Sequence, residues 1–263
     1  MATRGVVMST GVVFARLVAP IRVALFASSL AVCAVPVAGW SETLVVVPNA
    51  NETMNGNNGS KIPFSQGGGR FQQIFEASQF SAITGPQEIT EIAFRRDSST
   101  TSFDVTIADV QINLSTTSAT PLTLSSSYAT NVGPDDLIVH TGPLSLSASG
   151  TTAIPKPFDI TIPLSPGFAY DPSQGNLLLD VRMIDTAGRG GTVPFFDANG
   201  QQGKDARVFC STQCSVDDSD GGVDGLSMVA RFTFVPEPES TLLGVTALLP
   251  LAWLARRPRS RRR

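Results

Sequence analysis

The chain is 263 residues long, with 42% hydrophobic residues, 16% charged residues and a formal net charge of −3. That composition supplies a packed core and does not suit a disordered chain. Between Trp40 and Val235 there are 20 acidic and 10 basic residues, a balance of −10, and the remaining arginines gather at the two ends. An acidic body argues against a nucleic-acid partner, which needs a basic face.

Residues 1–39 read as a signal peptide. Arg4, Arg16 and Arg22 form a positive leader, and Val23–Gly39 is an apolar run ending in small residues, with cleavage near Ala38 or Gly39. A retained membrane anchor is the alternative reading. The body is then residues 40–234, where 23 Gly and 18 Pro in the whole chain favour short strands over long helices.

Leu44–Val47, Phe71–Phe75 and Ile89–Phe94 are short apolar strand candidates, and Pro48–Ser60 reads as a flexible loop. In Asp104–Leu114 the apolar residues change parity. Val105 and Ile107 are odd, Val110, Ile112 and Leu114 even, so a bulge or bend is expected near Ala108–Asp109. Leu137–Thr141, Leu144–Leu146 and Arg207–Phe209 are further candidates. In Phe158–Leu164, Leu179–Ile184 and Leu226–Phe234 apolar and polar residues alternate, which predicts half-buried strands. In the last two, Asp180, Arg182, Ser227, Arg231 and Thr233 are expected to point away from the core. Turn signals such as "NVGPDD" and "DPSQGN" separate the strands. About ten strands without a convincing amphipathic helix predict an all-β antiparallel sandwich of jelly-roll type.

Chemistry-bearing residues are few. The single histidine, His140, lies on a strand candidate with no nucleophile motif beside it, and its count excludes a multi-His zinc site. Cys210 and Cys214 are expected to form a disulfide once Cys33 leaves with the leader. In Asp217–Gly225, Asp218, Asp220 and Asp224 with two glycines suggest a calcium loop, although the EF-hand spacing and its distal Glu are absent. A solvated acidic loop is the competing reading. With 20 acids in the body, no pair stands out for glycoside hydrolysis.

The chain closes on three parts in fixed order: Pro236-Glu237-Pro238, the apolar run Thr241–Ala255, and Arg256–Arg263, which holds six arginines. About 15 helical residues reach roughly 22 Å against a hydrocarbon core of about 30 Å, a marginal span further weakened by Pro250. The arginines are expected on the cytoplasmic side, which puts the body outside. This order resembles the PEP-CTERM sorting signal of bacterial exported proteins, a motif also catalogued as an ice-binding-protein C-terminal domain. Glu239 departs from the usual pattern by separating the motif from Ser240-Thr241. The resemblance covers about 25 residues. It implies a C-terminal single hydrophobic helix, transient membrane contact and processing by exosortase, a membrane protease, near Pro236, Glu237 and Pro238. The expected role is a non-catalytic surface or biofilm-matrix protein, in contact with exopolysaccharide. The alternative is a lectin-like carbohydrate-binding module, possible to stabilise with calcium but poor in the exposed aromatic platforms that sugars stack on.

Overall fold

The computed structural model describes residues 41–65, 68–99, 101–187, 191–201, 206–210 and 214–236. The expected leader and the C-terminal helix lie outside these residues. The regular structure of the described chain is almost entirely strand: β1 (Thr43–Val47), β2 (Asn58–Ser60), β3 (Gly69–Phe75), β4 (Gln87–Phe94), β5 (Phe103–Thr117), β6 (Leu137–Ala148), β7 (Ile160–Tyr170), β8 (Asn176–Asp185), β9 (Phe196–Gly200), β10 (Arg207–Phe209), β11 (Gly222–Asp224), β12 (Leu226–Met228) and β13 (Ala230–Pro236). One four-residue helix, α1 (Tyr128–Asn131), and two 3-10 turns, Asn49–Asn51 and Ala77–Phe80, interrupt them.

All strand pairings are antiparallel. A four-stranded sheet runs β1-β13-β4-β7, a six-stranded sheet β11-β10-β3-β8-β5-β6, and a small sheet β12-β9-β2. One hydrophobic cluster draws on both larger sheets, in a sandwich-like arrangement. The four-stranded sheet gives it Ile92, Ile162 and Phe232; the six-stranded sheet gives Phe71, Ile112 and Val181. Phe80 sits within it, with ring centroids 5.1 Å from Tyr170 and 5.5 Å from Phe232. Buried aromatic pairs of this kind add to the burial of their area.

The parity change in β5 is a bulge. Its pairing with β6 shifts between Ile107 and Val110, so Val105 and Ile107 before it, and Val110, Ile112 and Leu114 after it, all enter the core. Opposite Val110 stands Gly142, at φ +102°, a conformation that side chains resist. This glycine carries β6 through the irregularity, so the two expected strands on either side of it are one.

Leu226–Phe234, expected as one strand, is two. It divides at Val229, whose N–H donates to Asp197 O (2.9 Å). Residues 226–228 pair with β9, and those after the break join β1 and β4. Ser227 and Thr233 are therefore buried, not solvent-facing.

Pro48–Ser60 is also more ordered than its composition suggests. Asn58–Ser60 pairs with β9, Asn51 is buried, and Gly56 N–H donates to Asp197 Oδ1 (2.8 Å). Asp197 is itself held by the buried Arg95, whose Nε lies 2.7 Å from Oδ2. A charge pair out of water needs its remaining hydrogen-bonding capacity filled, and the loop backbone fills it. Arg95 donates to Met54 O and lies over the Phe158 ring at 4.8 Å.

Candidate functional site

The outer face of the six-stranded sheet is covered where the sequence predicts solvent. The segment from Ser118 to Gly133, which includes α1, lays Leu124 and Tyr128 on Ile74, Leu178, Ala206 and Val208 as a second small core. Asp180, expected to face water, is 2% exposed. Arg70 grips its carboxylate through Nε (2.9 and 3.1 Å) and through its terminal nitrogen, and Gln72 Nε2 adds a bond of 2.9 Å. Gln72 also accepts from Asn131 (3.1 Å), Tyr128 Oη donates to Arg70 O (2.8 Å), and the Arg70 guanidinium lies over the Tyr128 ring at 5.1 Å. Arg182, as expected, remains partly exposed, 3.9 Å from Asp180. Among the described atoms its Nε has no hydrogen-bond partner. This network fastens the covering segment to the sheet.

Cys210 and Cys214 are joined by a disulfide, with Cα atoms 5.6 Å apart. The three aspartates of the expected calcium loop are not gathered. Asp224 takes a two-pronged bond from Arg207 (2.8 and 2.9 Å), Asp218 accepts Ser215 N–H (2.9 Å), and Asp220 accepts the Ser219 hydroxyl (2.6 Å). Among the described residues no group of three or more His, Cys, Asp or Glu side chains is placed to hold a metal ion. We expect millimolar calcium to leave Tm unchanged, and Asp224→Asn to cost about 1 kcal/mol, since its side chain is 40% exposed and the pair with Arg207 is screened by solvent. Thermal melts with and without calcium check this; a calcium-dependent rise in Tm, abolished in the variant, would show that the carboxylates close around an ion.

His140 is half-buried on β6, opposite Ile112, and its Nε2 has no hydrogen-bond partner among the described residues. Pro236 is the last residue of β13 and pairs with Gln87; Glu237 and Pro238 lie outside the described residues. No described helix is long and apolar enough to cross a membrane.

The larger of two recesses among the described residues is one the sequence does not single out. A cleft of about 480 Å³ opens where β5 and β7 end and β6 begins. That volume lies in the range of small-molecule sites. Its lining is hydroxyl-rich, from Thr116, Thr117, Ser118 and Thr130, with Asp135, Asp171 and Gln174 as further polar groups. Pro86, Pro134 and Ala169 supply apolar surface, and no Lys, Arg or His among the described residues lines it.

Local chain chemistry sets both carboxylates. Asp135 Oδ1 accepts Thr116 N–H at 2.7 Å, drawing its loop against the end of β5. Gly133 makes that approach possible: a Cβ there would lie 1.8 Å from Thr116 O. Asp171-Pro172-Ser173-Gln174 is a turn closed by Gln174 N–H to Asp171 O (3.0 Å), with Asp171 Oδ1 accepting Ser173 N–H (2.9 Å). Hydrogen bonds from the Ser173 side chain and backbone hold the Asp171 carboxyl below the usual carboxylate range. Beneath the turn, buried Tyr170 donates to Gly175 O at 2.9 Å.

A second recess of about 200 Å³, with Asn49, Glu76 and Gln79 on its walls, is smaller than most ligand sites. Compared with protein-family models, curated proteins and solved structures, the chain matches none.

Proposed function

We propose that this chain is an exported, non-catalytic surface or extracellular-matrix protein whose C-terminal segment is a removable sorting handle read by an exosortase-type membrane protease. The observation that carries the reading is the order Pro-Glu-Pro, apolar run and arginine cluster, whose first residue, Pro236, is the last described residue of β13. Among the described residues Phe234 is the last in the core, and Val235 and Pro236 are only half-buried. A cut near Pro236–Pro238 leaves every described core residue in the body. The Cys210–Cys214 disulfide suits an oxidising compartment outside the cytosol. The strand orders β1-β13-β4-β7 and β3-β8-β5-β6 support a jelly-roll wrap, in which eight strands fold as two interleaved Greek keys.

Intact mass and C-terminal peptide mapping of the natively produced protein test the handle. The expected result is an extracellular chain ending near Pro236–Pro238. A chain retaining Arg263 in the membrane fraction would make the tail a permanent anchor and overturn the sorting reading.

The cleft supports a second reading, carbohydrate binding, because its lining joins hydroxyls, an amide and two carboxylates that can exchange hydrogen bonds with sugar hydroxyls.

A further inference from the structure

We propose that the cleft between the ends of β5 and β7 and the start of β6 binds a neutral glycan and rejects uronic-acid polymers. This rests on the carbohydrate-binding reading above and assigns it a place and a ligand class.

The argument is one of donors and acceptors. Asp135 is exposed and Asp171 partly exposed, and a carboxylate only accepts hydrogen bonds. Hydroxyls of the four Thr and Ser residues can donate or accept, and Gln174 does both. Sugar hydroxyls can donate to the two carboxylates and exchange bonds with the lining hydroxyls, and bonds to an ionised acceptor are the stronger kind. A uronate or sulfate would instead bring a like charge next to two carboxylates, with no described cation in the lining to offset it. Proline rings and Ala169 provide the small apolar faces against which sugar C–H groups pack. Without an aromatic platform each contact is weak, so avidity along a repeating polymer would carry retention.

The site is also preorganised. Asp135 is held by Thr116 N–H and Asp171 by the Ser173 turn, so little side-chain freedom remains to be lost on binding.

The test is affinity electrophoresis of the natively exported protein through gels containing dextran, a mixed-linkage β-glucan, a galactomannan or alginate. Two variants accompany it. Ala169→Trp fills the cleft from an exposed strand position, and Asp171→Asn keeps a turn-forming residue while removing the charge. Retardation in at least one neutral gel, none in alginate, and a loss of about tenfold in apparent affinity in each variant at unchanged Tm is the expected result. If Ala169→Trp does not fold, Asp171→Asn alone decides. Retardation that both variants retain overturns the site but not the carbohydrate reading. Equal retardation in alginate overturns the ligand class. No retardation in any neutral gel overturns both, and leaves the sorting reading to the C-terminal mapping.

Discussion

Asp180→Ala is expected to destabilise the body by roughly 3–5 kcal/mol, the cost of leaving a buried charge without its partner. Arg70 is 11% exposed, and Gln72 is fully buried. Removing the carboxylate strands both, and with them the Asn131 and Tyr128 contacts that dock the segment covering the sheet. For a domain of this size that corresponds to a fall in Tm of roughly 6–20 °C. The double change Asp180→Leu with Arg70→Met tests the cause. It removes both charges, so much of the loss should return. A single variant that melts within a degree or two of the parent would show that the pair contributes little.

The second large effect comes at alkaline pH. The chain has two tyrosines, and both are fully buried. Burial pushes the Tyr128 phenol from its ordinary value up to about 12, and moves Tyr170 in the same direction. Above pH ~10 an unfolded tyrosine loses its proton while the folded one keeps it. The native state then binds more protons than the unfolded state, so stability falls as pH rises, by ~1.4 kcal/mol per pH unit for each tyrosine. The loss begins near the unfolded value and ends once pH passes the folded one. Phenolate absorbance should therefore stay silent in the folded protein and appear together with loss of the far-UV strand signal. Tyr128→Phe should halve the slope, at a neutral-pH cost of ~1 kcal/mol for the bond to Arg70 O. Gradual phenolate formation with an ordinary midpoint in an intact fold would contradict it.

Strands were legible wherever one face meets the core and the other meets water. Ile160–Leu164 and the two halves of β5 alternate because the core recurs at every second residue, whereas Phe158, expected on the same strand, lies before it and outside the core. Alternation does not say what covers the other face. Asp180 alternates correctly with Leu179 and Val181, but its burial comes from the Ser118–Gly133 segment, which has no periodicity of its own. The split of β12 from β13 did leave a mark: Met228, Val229 and Ala230 are three consecutive apolar residues, all fully buried, and a half-exposed strand does not carry such a run. The cleft was illegible because three strand ends assemble it from residues far apart in sequence. Its two carboxylates nonetheless sit in "NVGPDD" and "DPSQGN", stretches whose Pro, Gly and Asp content marks them first as turns. Turn chemistry and ligand chemistry use the same short polar side chains, so composition alone cannot separate them.

β1 and β13 lie side by side with Thr43 opposite Phe234, so the two ends of the described body meet at the same place on one sheet. That decides how the protein would carry load. Tension applied between its two ends meets the β1–β13 ladder one rung at a time, because the antiparallel hydrogen bonds run perpendicular to the strands and the pull enters at a single end. A ladder opened rung by rung yields at far lower force than one sheared along its length, where all rungs resist together. Strung as a link within a tensioned filament, the body would unzip early. Hung from one terminus, it feels no such tension: its mechanics suit a pendant, not a link.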